Sequence, residues 1–144
     1  MTEQITRFDG FHEFLSNFHM TTIEFEGIIF LSSEHAFQAA KTLDMAERRK
    51  ISALSTPGQA KRAGRRVTLR PDWNDIRIGV MAEILRIKFA KPDLRKELLD
   101  TGDAELIEGN LHKDTFWGVC DGKGHNHLGI ILMEIRDEIR RNQQ

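Results

Sequence analysis

With a single cysteine, Cys120, the chain cannot close a disulfide within itself, and a reducing compartment, the cytoplasm, is expected. Long apolar runs are missing as well: none approaches the roughly 18 residues of a membrane-spanning helix, so no membrane partner is expected. Net charge is almost absent, at −1 over 144 residues, which argues against non-specific wrapping of a polyanion. No repeat, low-complexity tract or linker-like stretch interrupts the sequence, so a single domain over residues 1–144 is expected. The opening Met1-Thr2-Glu3-Gln4 has no basic region followed by an apolar stretch, so no signal peptide is expected.

What is present is an ordinary globular composition, with 40% apolar residues and 11 glycines. The charge is unevenly spread. Residues 45–70 carry Arg48, Arg49, Lys50, Lys61, Arg62, Arg65, Arg66 and Arg70 against Glu47 alone, while residues 93–110 are acidic. The basic stretch suits a phosphate-bearing ligand; two oppositely charged solvated faces suit the pattern equally.

The segment Thr22 to Phe30 alternates apolar and acidic residues up to Gly27 and then runs apolar, which predicts two short strands about a turn. Helix signals follow. Ser32 and Ser33 can cap a helix to about Leu43, and Asp44 with Glu47 opens another. Thr56-Pro57-Gly58-Gln59 places a cap, a first-turn proline and a reaching glutamine in order, with Gly64 as a stop. Asp72 is expected to cap a long helix to about Ala90, halted by Pro92, with Ile76, Val80, Ile84 and Ile87 on one face and Met81, Leu85 and Phe89 widening it. A last helix from about Leu128 to Arg140 aligns Leu128, Leu132, Ile135 and Ile139. The fold expected is α+β, predominantly helical with about six helices and a small N-terminal antiparallel β element.

Two stretches could carry chemistry. In Ser33 to Lys41, at 100° per residue, Glu34, Gln38 and Lys41 fall within about 60° of one another. An acid, an amide and an amine stacked over two turns could hold a polar ligand; a solvated Glu–Lys face fits too. The second stretch runs from Glu108-Gly109-Asn110 through Asp114-Thr115-Phe116-Trp117-Gly118 to Gly122-Lys123-Gly124-His125-Asn126. Glycines there could leave backbone N–H groups open at the start of the last helix, where phosphate is favoured, and Trp117 could stack on a base or a ribose. An ordinary turn with an anchoring tryptophan is the alternative. The glycine spacing is neither a dinucleotide fingerprint nor a P-loop. Cys120, His125 and His127 match no common zinc spacing, so no metal and no cofactor are expected. His12, His19 and His112 are expected on the surface or in packing roles.

Taken in order, Phe14-Leu15-Ser16-Asn17-Phe18, Ser33-Glu34-His35-Ala36-Phe37-Gln38-Ala39-Ala40-Lys41, Asp72-Trp73, Lys88-Phe89, Asp114-Thr115-Phe116-Trp117-Gly118 and Gly124-His125-Asn126-His127-Leu128-Gly129 resemble the YbiA-like, or NADAR (NAD and ADP-ribose associated), family over about residues 8–140. The chain departs from the family pattern at His112 and at Val119-Cys120-Asp121. The resemblance implies an α-rich N-glycosidase acting on a phosphorylated ribosylamine of riboflavin synthesis or on ADP-ribosylated guanine, free or in nucleic acid. It places Glu34, Trp73, Asp114 and Trp117 at or near the active site, with Asn17, Lys41 and Asn126 as further candidates.

Ribosyl C–N cleavage builds positive charge on the sugar and negative charge on the departing nitrogen. Glu34 is expected to steady the first and Asp114 to protonate the second. A rival route uses Lys41 as a Schiff-base nucleophile. Arg65, Arg66 and the Gly122–Gly124 loop are the expected phosphate contacts, with Gln38, Glu108 and Gly118 lining the substrate. The non-enzyme alternative is an ADP-ribose or NAD-binding module that does not cleave, and a helical interaction protein is a third.

Overall fold

The structure is a computed structural model and describes residues 3–143, so the reading of Met1 and Thr2 lies outside the described residues. In chain order the elements are β1 (Gln4–Ile5), a 3-10 helix (Gly10–Leu15), β2 (Met20–Phe25), β3 (Ile28–Ser32) and α1 (Ser33–Ala40). There follow α2 (Met45–Ser52), α3 (Pro57–Ala63), α4 (Trp73–Phe89), α5 (Pro92–Asp100), β4 (Glu105–Leu106) and α6 (His127–Asn142). The fold is mixed α+β with helix predominating. Residues Asn17–Lys88 form one compact unit; those up to Ser16 and from Phe89 onward form another.

In the unit of residues 17–88, β2 and β3 pair antiparallel, with Ile23 opposite Phe30 and Phe25 opposite Ile28. The turn residues Glu26 and Gly27 both have positive φ, 48° and 83°, the primed geometry whose twist matches that of the strands. Ile23, Phe25 and Phe30 point inward. The chain passes straight from β3 into α1, where Ser32 Oγ accepts the His35 N–H at 3.1 Å. That helix ends at Ala40, short of the expected Leu43, because Asp44 must leave helical geometry to cap α2. Asp44 Oδ1 accepts from Ala46 N at 2.8 Å and Glu47 N at 3.3 Å. Glu47 does not close a capping box; it accepts from the Thr42 hydroxyl and the Thr68 N–H instead.

Thr56 and Gln59 form the complete reciprocal box expected of α3. The backbone carbonyl of Asp72 opens α4, but its carboxylate takes two hydrogen bonds from Arg70, at 2.7 and 3.2 Å, and caps nothing. The inward face of α4 differs from the one expected. Trp73, Met81, Ile84, Leu85 and Lys88 are buried, whereas Ile76, Val80 and Ile87 are only half-buried. The buried arc is rotated, and Arg77 lies on its line between Trp73 and Met81.

The other unit is built on α5 and α6, with Leu94, Leu98, Leu128, Ile131, Leu132 and Ile135 buried. Pro92 does not merely halt α4: it occupies the first turn of α5, where its missing N–H costs nothing. The parallel pairing of Gln4 with Glu105 and Ile5 with Leu106 was not expected. Among the described residues no helix is long and apolar enough to cross a membrane.

Candidate functional site

All eight residues of α1 are buried, because β2, β3, α2 and α3 pack around it. The solvated-face alternative for Glu34 and Gln38 is therefore excluded: they are 7% and 5% exposed. Gln38 Nε2 donates to Glu34 Oε1 at 2.8 Å, an i, i+4 pair on one helix face. The start of this helix is held by Asn17, whose backbone carbonyl accepts the Glu34 N–H at 3.1 Å. Asn17 Oδ1 accepts the Ser33 hydroxyl at 2.8 Å, and its Nδ2 donates to the Met81 sulfur at 3.6 Å. Asn17 thus anchors the backbone that presents Glu34.

Lys41 is half-buried at the C-terminal cap of α1. Burial pushes its amine below the ordinary 10.5; Glu34 works against that shift, and Arg65, Lys61 and Arg77 add to it. Lys41 therefore feels three other cations, Lys61, Arg65 and Arg77, as well as the Glu34 carboxylate. Of the expected pair, Arg65 acts on Lys41 and Arg66 does not. Sequence reasoning missed Lys61 and Arg77. The spacing of Lys61 and Arg65, four apart at the end of α3, would have shown the first; Arg77, one turn after Trp73, the second. Arg48 leaves the basic patch altogether: it is buried, donating 2.8 Å to the Thr42 carbonyl and pairing with Glu26 at 3.4 Å. Trp73 is 5% exposed and packs on Phe37, ring centroids 5.0 Å apart, so it braces α1 against α4.

His35, passed over in the sequence, is fully buried with both ring nitrogens bonded, Nδ1 to Ser32 Oγ at 2.6 Å and Nε2 to the Leu54 carbonyl at 2.9 Å. Burial lowers its pKa and the Leu54 bond raises it by less. The neutral form fits: Nε2–H donates to Leu54 and Nδ1 accepts from Ser32.

The late loop is organised differently. Asp114 Oδ1 accepts the N–H groups of Phe116 at 3.1 Å and Trp117 at 2.9 Å, and the Asn110 amide spans the same turn. Phe116 lies edge-on to Trp117 at 4.8 Å and tilted on His127 at 4.6 Å; His125 stacks on His127 at 5.4 Å. The start of α6 is tied to the late loop through its backbone. The N–H groups of His125, His127 and Leu128 donate to the carbonyls of Thr115, Phe116 and Trp117, so donors at the start of α6 are already committed.

Gly118 and Gly124 serve close packing. A Cβ on Gly118 would overlap Glu108, and one on Gly124 would overlap the Gly118 carbonyl. Glu108 Oε2 accepts from the Asn110 amide at 3.1 Å. Asn126, with φ 53°, uses both ends of its amide on β4 and its flank, donating to the Leu106 carbonyl at 2.9 Å and accepting the Glu108 N–H at 3.0 Å. It is a strap between β4 and α6.

A cavity of about 130 Å³ lies between the 3-10 helix and α5, lined by Phe11, His12, Phe14, Glu97, Asp100 and Thr101. It is smaller than the roughly 300 Å³ at which ligand pockets usually begin and holds none of the expected residues. Among the described residues no group of three or more His, Cys, Asp or Glu side chains is arranged to hold a metal.

Comparison with known proteins agrees with this arrangement of elements. A riboflavin biosynthesis protein of Vibrio vulnificus is 43% identical over 136 residues, covering 92% of this chain but 37% of that protein. N-glycosidase YbiA of Escherichia coli K12 is 40% identical over 135 residues, 91% of this chain and 83% of the relative. The solution structure of E. coli YbiA superposes with a TM-score of 0.87 at 37% identity, covering 99% of this chain and 89% of that one. The model of the NADAR domain matches residues 4–140, and the chain belongs to the NADAR family.

Proposed function

We propose that the chain hydrolyses the bond between a ribose carbon and a nitrogen in a phosphorylated substrate, with Glu34 as the reacting carboxylate. The observation that carries this reading is the buried polar face of α1. There a carboxylate and an amide are bonded, and the lowered-pKa amine of Lys41 feels that carboxylate together with Lys61, Arg65 and Arg77. As the C–N bond lengthens, positive charge grows on the sugar carbon and ring oxygen, and a fixed carboxylate opposes it. Water adds its oxygen to that carbon, and the departing nitrogen takes a proton. The surrounding cations match the charge of a phosphate.

Relatives named N-glycosidase support the class of reaction, and a relative named for riboflavin synthesis favours a ribosylamine phosphate over ADP-ribosylated guanine. Purified protein offered both substrates should release sugar from the former at the higher rate. Tight binding without release on prolonged incubation would make the chain a binding module instead.

The lowered pKa of Lys41 favours a second route. Its neutral amine adds to the sugar C1 as the nitrogen leaves with one of the amine's protons; the ring C1–O bond then opens, the ring oxygen takes the second proton, and an imine forms on Nζ, which water hydrolyses to the free amine and the sugar aldehyde. Borohydride during turnover should trap a reduced sugar on Lys41. Full turnover with no adduct leaves direct attack by water.

A further inference from the structure

Gly64 caps the C-terminal end of α3 with φ −60° and ψ −21°, an ordinary right-handed helical backbone. The usual reason for glycine at a helix end, a left-handed cap residue, is therefore absent. Space is the reason instead. A Cβ on Gly64 would overlap the side-chain carbonyl oxygen of Gln38 and would lie 2.7 Å from its Cδ and 3.1 Å from its Cβ. The three heavy atoms nearest to that position all belong to this one side chain.

The amide pressed against Gly64 is the one that donates to Glu34. Its two ends are unequal. Nε2 makes the 2.8 Å bond to Glu34 Oε1, whereas Oε1 is buried and accepts no hydrogen bond among the described residues. A buried acceptor without a partner is unfavourable, so something must hold the amide where it is. Turning it over would set its carbonyl oxygen against a carboxylate oxygen, acceptor against acceptor. Swinging it away would surrender the bond to Glu34. The end of α3, with only a hydrogen where a side chain would be, leaves room for the observed rotamer.

We propose that Gly64 is a positioning residue for the reaction. By lacking a side chain it seats the Gln38 amide in the orientation that donates to Glu34, and so fixes the carboxylate toward the sugar. The inference rests on the reading of Glu34 as the reacting carboxylate. Gly64 itself touches no reacting atom; it acts through Gln38.

The test is a double-mutant cycle on an N-glycosyl substrate that the wild-type protein cleaves, with Glu34→Gln measured alongside. Gly64→Ala should lower kcat at least about tenfold with KM changed less than about twofold, since the added methyl displaces the amide rather than the bound substrate. Gln38→Ala should lower kcat to a similar degree. The double variant should turn over no more slowly than Gln38→Ala alone, because the amide that the new methyl strikes is gone and only the contact with the position-38 Cβ remains. Should Gly64→Ala fail to fold, Gln38→Ala relieves the overlap, and the comparison of that variant with the double one still decides. Equal kcat supports the proposal, and a further loss overturns it. Wild-type kcat in Gly64→Ala while Glu34→Gln is inactive would overturn the role of Gly64 and leave that of Glu34 standing. Full turnover by Glu34→Gln would remove the underlying reading, and this inference with it.

Discussion

The α1 face and the late loop both carry polar residues singled out in the sequence, yet they use them in opposite ways. On α1 the backbone satisfies itself through helix bonds, with Asn17 and Ser32 closing its first turn, and the Gln38 amide donates to the Glu34 carboxylate rather than to backbone. In the late loop there is little regular structure to satisfy the backbone. Asp114, Asn110 and Asn126 are drawn into that task, bonding N–H and carbonyl groups of the loop and of β4. A buried polar side chain on a regular element is therefore a stronger candidate for chemistry than one in an irregular loop, because the loop has its own backbone to serve.

That contrast predicts a separation between variants that lose turnover and variants that lose stability. The largest effect on the α1 side, apart from Glu34 itself, is expected at Lys41. Where turnover runs through the imine on Lys41, Lys41→Met should reduce it by about 10²-fold or more while the melting temperature stays near wild type. On that route the wild-type pH profile should rise as the Lys41 amine loses its proton, at a pH below the ordinary 10.5, and a profile without that rise would favour direct attack by water.

On the loop side the largest effect is expected at Asn126. Replacing it with alanine strands the Leu106 carbonyl and the Glu108 N–H, and should cost about 2–4 kcal/mol in denaturant unfolding. Wild-type stability in that variant would break the contrast.

A smaller effect concerns acid. His35 is held below the ordinary 6.5 in the folded chain, so the unfolded chain takes up the proton first as pH falls. Its contribution is full above 6.5 and drains away as pH falls below that value toward the lower folded-state pKa, with a slope of at most about 1.4 kcal/mol per pH unit. Melting temperature against pH should bend downward there, and the bend should flatten in His35→Gln. The smallest effect is expected from Arg65→Ala: a rise of a few-fold in KM, larger for the phosphorylated substrate than for its dephosphorylated form and weaker at high salt.

How much of this was legible in the sequence follows from how local each cause is. The capping box of Thr56 and Gln59, the Glu26-Gly27 turn and the start of α6 depend on a few neighbouring residues, and all were readable. The short parallel pairing of β1 with β4 joins residues a hundred positions apart in strands too brief to show alternation. The polar wheel of α1 looked half-solvated, since only tertiary packing by β2, β3, α2 and α3 buries it.

Glycine was the least readable residue. Gly64 ends α3 as expected, but the room it makes for Gln38, like the close approaches at Gly118 and Gly124, depends on neighbours the sequence does not show. The residues named on α1 lay within one turn-to-turn pattern and showed in the sequence as a group. Lys61 and Arg77 did not, because a lysine and an arginine on helices read as solvated until the neighbours are known.

The most direct measurement is turnover by Glu34→Gln, a change of one oxygen to an amide at nearly constant volume, with product affinity and melting temperature measured on the same sample. A loss of about 10²–10⁴-fold in kcat with product binding and folding intact is the expected result. Wild-type kcat in that variant would contradict the assignment of the chemistry to the buried face of α1.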